Sequence, residues 1–182
     1  MDSDQKQPSQ QGQLDNLCGI YSLVNAIAYL YDKRVKRKRL KLKLISVFHS
    51  QWDLEELLYE GMDDTRLDYL IDQVLMTGYY AKHFPVQVTK PFVKRRYLTN
   101  RALMDEMQAF LDEGGYQGTR IILLGTVEHW SLAKRIDEKF LYLFDSAGYK
   151  RARRSSYSLK ANARRFQLFP SCIYFFTRLE EV

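Results

Sequence analysis

A chain of 182 residues with 46% apolar and 14% aromatic content is long enough to bury a core without metals or disulfides and too apolar to stay disordered. Its formal balance is +6, and its two cysteines, Cys18 and Cys172, lie far apart without metal-ligand spacing; this excludes a disulfide framework and suits a reducing compartment. No apolar run approaches the roughly 18 residues of a membrane-spanning helix, and Met1 to Gly12 is polar and Gln-rich, without the apolar segment of a cleaved secretory signal. The expected location is cytoplasmic, or reached by a route that needs no cleaved signal peptide.

In chain order, residues 1–12 read as a flexible polar leader and 13–182 as one domain. The polar run from Gln13 ends at Cys18. Beyond it Ile20, Leu23, Val24, Ile27, Leu30 and Tyr31 recur at spacings of three and four, the period of a helix with a buried face. Cys18 therefore sits at, or one residue before, the first turn of that helix, where unpaired N–H groups and the helix dipole favour a thiolate. Gly19 leaves no side chain beside the sulfur and lets another backbone come close. Gln13, five residues upstream, carries an amide suited to donating to an oxyanion; Gln11 and Asn16 are alternatives. Taken alone, Cys18 reads equally well as a small buried hydrophobe.

From Lys33 to Lys43 eight of eleven residues are basic. Leu40, Leu42 and Leu44 alternate with lysines, the pattern of an edge strand with a charged face, or of an extended loop. Ile45 to Gly61 and Asp64 to Gly78 are amphipathic and helical in pattern, closed by glycines. Gly78 to Val88 leads back toward a strand, with Pro85 and Pro91 bounding a loop or sheet edge. Thr99 is placed to cap a helix running to Glu113, and Gly114-Gly115 to stop it.

Ile121 to Leu124 reads as a buried strand. His129 to Ile136 and Lys139 to Phe144 read as a hairpin turning at Asp137-Glu138. His129 and Asp145 lie nearly equidistant from that turn, so antiparallel pairing brings imidazole and carboxylate together. This supplies a base and the group that orients it, which a cysteine nucleophile needs. A basic connection spans Tyr149 to Arg165, and Ser171 to Arg178 forms the last strand, with Cys172 in the core. Helices come first and a mainly antiparallel sheet follows, an α+β arrangement.

Cys18 with Gly19, His129 with Trp130 and Asp145 with Ser146, in that order, resemble the Cys–His–Asp arrangement of the papain-like cysteine peptidases. The Cys18-Gly-Ile-Tyr-Ser-Leu-x-Asn25 run, the His129-Trp-Ser-Leu start and the Asp145-Ser146 ending are similar to the SUMO-protease family, in which His and Asp precede Cys. The Cys-first order and the Gln13-x4-Cys18 spacing are nearer to the Josephin-type deubiquitinases. The resemblance covers these stretches and nothing between them. It implies a papain-like fold, with N-terminal helices packed on the sheet. It further implies a cysteine protease acting on a peptide or isopeptide bond of a protein substrate, without metal or organic cofactor. Cys18 would be the nucleophile, His129 the base, Asp145 its orienting partner and Gln13 the oxyanion donor. Papain and the SUMO proteases place that donor six residues before the cysteine, which here is Gly12; Gln13, Gln11 and Asn16 thus stay open. Trp130 either shields the His129–Asp145 pair from water or is ordinary core. A ubiquitin-like modifier or an acidic protein is the implied partner.

Two rival readings stand beside this one. The same acyl-transfer chemistry serves a transferase or deamidase acting on a partner protein. A non-catalytic basic module binding nucleic acid or an acidic protein is the other, supported by charge gathered at 33–43, 94–96, 151–154 and 164–165. For nucleic acid the chain lacks aromatic platforms, a recognition helix and RNA-binding signatures. The remaining histidines, His49 and His83, have no carboxylate at comparable spacing. Nothing in the sequence speaks to oligomeric state.

Overall fold

The first helix, α1 (Cys18–Tyr31), forms where the three-and-four spacing placed it, and only Tyr21 and Tyr29 keep partial exposure. The computed structural model describes residues 6–12, 16–114 and 118–180. A helix buried on so many sides needs its polar groups satisfied. Ser22 Oγ donates to the Trp130 carbonyl (3.0 Å), and buried Asn25 makes a two-point clamp: its Oδ1 accepts from Ser9 N (2.7 Å) and its Nδ2 donates to Ser9 O (3.1 Å). Residues 6–12, read from sequence as part of a flexible leader, are held by this clamp. The Lys6 ammonium on the Tyr29 carbonyl (2.6 Å) and Gln11 N on the Ser146 carbonyl (3.1 Å) hold them further.

The basic run is a helix, neither strand nor extended loop. In α2 (Arg37–His49) Leu40, Leu44 and Phe48 are fully buried at a spacing of four, whereas Leu42 is 54% exposed. Lysine, arginine and leucine are all good helix formers, so the leucine–lysine alternation was incidental and the spacing of four governed. Three short helices follow: α3 (Leu54–Tyr59), α4 (Asp64–Leu70) and α5 (Gly78–His83). Asp53 and Asp63 cap α3 and α4, accepting from Glu55 N and Arg66 N. A π-helical turn over Ile71–Leu75 extends α4 and buries Ile71, Val74 and Leu75 together. Residues 78–83, read as the approach to a strand, are helical; the strand itself is β1 (Val86–Thr89). Thr99 caps α6 (Asn100–Glu113), its Oγ1 accepting from Ala102 N at 3.1 Å. Gly114 follows the helix, and Gly115 lies outside the described residues.

The remaining strands are β2 (Arg120–Thr126), β3 (Trp130–Ile136), β4 (Phe140–Leu143), β5 (Arg151–Arg153), β6 (Tyr157–Ser158) and β7 (Phe166–Arg178). They form one sheet in the order β1-β7-β2-β3-β4-β5, antiparallel throughout, with β6 joining β7 in parallel off this path. The chain is thus mixed helix and antiparallel sheet. The uninterrupted apolar run of β2 follows from burial on both faces. Ile121 and Leu123 share one core with α1, Trp130, Leu132 and Tyr174. Ile122 and Leu124 share another with Leu103 and Met107 of α6, Ala133 and Phe175. No described helix is long and apolar enough to cross a membrane.

Candidate active site

Two turns place the functional side chains. At one end of the sheet Thr126 N donates to the His129 carbonyl (2.9 Å), closing a two-residue loop between β2 and β3 that leaves His129 at the strand entrance. At the other, Asp137 Oδ1 accepts from Lys139 N (2.9 Å) and Phe140 N (2.8 Å), fixing the turn between β3 and β4.

A register shift in the second hairpin decides which residue opposes Asp145. Ile136 pairs with Leu141 and Arg135 with Tyr142, but Ala133 pairs with Leu143. One extra residue, Lys134, is accommodated on β3 as a bulge. Continuing the shifted register outward sets Ser131 opposite Asp145. Were Lys134 paired instead of bulged, Asp145 would oppose Leu132, whose side chain lies on the α1 face, and Ser131 would be out of register with it. With the bulge, Asp145 lies on the face of His129 and Ser131.

The carboxylate is fully buried and each of its oxygens is used. Asp145 Oδ1 accepts from His129 Nε2 (2.7 Å) and from Ser131 Oγ (2.6 Å). Oδ2 accepts from the backbone N–H of Ala147 (2.9 Å) and, at longer range, of Tyr149 (3.4 Å). Burial pushes the carboxyl upward and is the largest single influence. The hydrogen bonds from His129 and Ser131, the imidazolium charge and the Ala147 N–H outweigh it, and the group is held below the ordinary aspartate value.

The imidazole of His129 has two partners. Asp145 takes Nε2, which fixes Nε2–H as a donor; Cys18, at the start of α1, lies close enough to influence the same ring. Burial, again the largest influence, disfavours the imidazolium. The Asp145 hydrogen bond and charge, together with the nearby Cys18, prevail and raise His129 from 6.5 to about 9. Tyr149 stands edge-on to the ring at 6.2 Å. Cys18 itself is a buried, free cysteine.

The structure therefore brings Cys18, His129 and Asp145 together. Gln13 lies outside the described residues. Of the alternative amides, Asn16 Nδ2 donates to the Tyr59 carbonyl, and Gln11 Oε1 accepts from Ser146 Oγ (3.1 Å). Trp130 points to the opposite face from His129: its Nε1 donates to the Met62 carbonyl (2.9 Å) and its ring lies flat on Gly125, where a Cβ would sit 2.7 Å from the indole. It is core packing, not a shield over the His129–Asp145 pair. The close neighbour that Gly19 admits is the Met62 side chain, whose sulfur would stand 2.9 Å from an added Cβ. His49 and His83 are exposed on α2 and α5.

Sequence reasoning assigned no role to Ser131, although its position two residues beyond His129 on one strand puts both on a single face. Among the described residues no cluster of three or more His, Cys, Asp or Glu side chains is grouped to hold a metal ion. A cleft of about 720 Å³ opens from Glu128, His129 and Ser131 and runs over the α6 face of the sheet toward β5 and the 162–167 segment. No family model, curated protein or solved structure matches the chain.

Proposed function

We propose that the protein is a cysteine-type hydrolase with a papain-like arrangement, cleaving a peptide or isopeptide bond in a protein substrate. One observation carries this reading: a single imidazole is hydrogen-bonded to a buried carboxylate with four donors, and Cys18, at the start of α1, acts on the same ring. A histidine that served only the core would need neither a sulfur partner nor a carboxylate so completely committed to orienting it.

In the proposed reaction the Cys18 proton rests on His129, and the thiolate sulfur paired with the imidazolium attacks the substrate carbonyl carbon. The developing oxyanion is met by the first backbone N–H groups of α1, which have no intrahelical acceptor, with Gln13 as the proposed side-chain donor. His129 then gives its proton to the leaving amine as the C–N bond breaks, leaving the acyl group on sulfur; water resolves the thioester. Asp145 stabilises the imidazolium throughout. A second reading shares every step but the last, an amine or other nucleophile replacing water, and mass analysis of the products separates the two.

The test is alkylation of the two thiols by iodoacetamide. Cys18 is expected to react far faster than Cys172, whose thiol burial pushes up, and His129→Ala is expected to abolish the advantage. Equal rates at Cys18 in both proteins would remove the activated nucleophile and with it the enzyme. A panel of ubiquitin-like proteins bearing electrophilic C-termini then asks whether a modifier is the acyl donor.

A further inference from the structure

Two of the basic stretches in the sequence converge on one wall. Arg151 and Arg153 of β5 and Arg164 and Arg165 of the following loop all line the cleft that opens at His129. All four are exposed, and none forms an ion pair with a described carboxylate. Their neighbour Arg154, by contrast, is turned away and bound to Asp105 at 2.7 Å. Arg151 and Arg165 are propped by the Phe140 and Phe166 rings at 4.6 and 5.0 Å, which positions a guanidinium without neutralising it. Glu128 is the one carboxylate in the lining. Uncompensated like charge facing a concave surface repels itself and is relieved by an anionic occupant.

The chemistry says which part of a substrate enters. His129 hands its proton to the leaving amine, so the chain on the amine side of the broken bond departs past the imidazole, where the cleft begins. We infer that this cleft binds acidic residues on the leaving-group side of the scissile bond, their carboxylates received by Arg151, Arg153, Arg164 and Arg165. The inference rests on the acyl-transfer reading above. A polypeptide fits better than a nucleic acid for two reasons. Among the described strands β5 is the last in the sheet order, paired only with β4, so its outer edge offers backbone groups to an extended chain. The aromatic lining is poor in stacking faces: Tyr157 is buried, Phe166 is covered by Arg165, and Tyr149 alone stands exposed.

The experiment measures anisotropy of a fluorescent oligoglutamate decapeptide at low ionic strength, with a thymidine decanucleotide as competitor class. Binding is expected in the wild type and in Cys18→Ala. It should weaken at least about tenfold in Arg164→Glu with Arg165→Glu, and in Arg151→Glu with Arg153→Glu. Lys38→Glu with Lys43→Glu, which removes the same charge from α2, is expected to leave it nearly unchanged. Equal weakening by the α2 variant, absence of peptide binding, or tighter binding of the oligonucleotide overturns the assignment. Iodoacetamide labelling of the same proteins keeps the two ideas apart. Fast Cys18 labelling without peptide binding defeats the acidic cleft alone. Peptide binding with slow Cys18 labelling defeats the enzyme and, with it, the leaving-group role, while the anion-binding wall stands.

Discussion

Burial by itself would leave His129 neutral near pH 7; its partners reverse that. A folded value of about 9 against an ordinary 6.5 means the imidazolium contributes stability that is fully present below about pH 6.5 and lost as pH rises through about 9. Asp145, whose value is depressed, works in the opposite sense: its contribution is present above the ordinary carboxylate range and lost as acid protonates it. The pair is thus strongest between those limits. Asp145→Asn is expected to bring the His129 titration, followed by NMR of the imidazole, down from about 9 toward or below 6.5. It should also flatten the fall in urea midpoint between neutral and alkaline pH. An unmoved titration would show that the carboxylate is not what holds the proton.

At the scale of elements, α2 and the β3 bulge are the informative cases. In α2 the buried leucines recur every four residues, so Leu44→Ala should cost about 2–5 kcal/mol. Leu42→Ala, on the exposed side, should stay within about 0.5 kcal/mol; equilibrium denaturation reads both. Had this stretch been a strand, the two leucines would share a face and their costs would be alike. Deleting Lys134 tests the bulge. The hairpin is expected to re-form in plain register with Ser131 still opposite Asp145, so His129 keeps its raised titration and the circular dichroism of the sheet persists. A deletion that lost the raised titration would show that Lys134 is not the residue standing outside the pairing.

On the scale of the whole molecule, the segment before α1 is tied to the domain through Asn25 and Ser146, and the same segment leads toward Cys18. Asn25→Ala removes both hydrogen bonds to Ser9 from a fully buried position, at a cost of about 1–3 kcal/mol. The amide of Ser9 should then exchange with solvent much faster than in the wild type, while amides within β2 keep their protection. Unchanged exchange at Ser9 would place the anchor elsewhere, on Lys6 or Gln11.

Much of this protein is legible from local pattern. The period of α1, the Thr99 cap, the turn at Asp137 and the near-equal distances of His129 and Asp145 from that turn all depend on neighbours close in sequence. Local chemistry determines such features wherever the chain packs. What only the tertiary structure decided lies in long-range choices. The leucine–lysine alternation of α2 yielded to a helix because a buried surface waited for Leu40, Leu44 and Phe48. Trp130 went to the α1 face because Gly125 opened a place for its ring. The opposition of Asp145 and Ser131 hung on Lys134 standing outside the pairing, since a slip of one reverses a strand. The meeting of Cys18 with an imidazole over a hundred positions away, and of Arg151 with Arg165 along one cleft, required the sheet to close: side chains far apart in sequence become neighbours only when the register between strands is set.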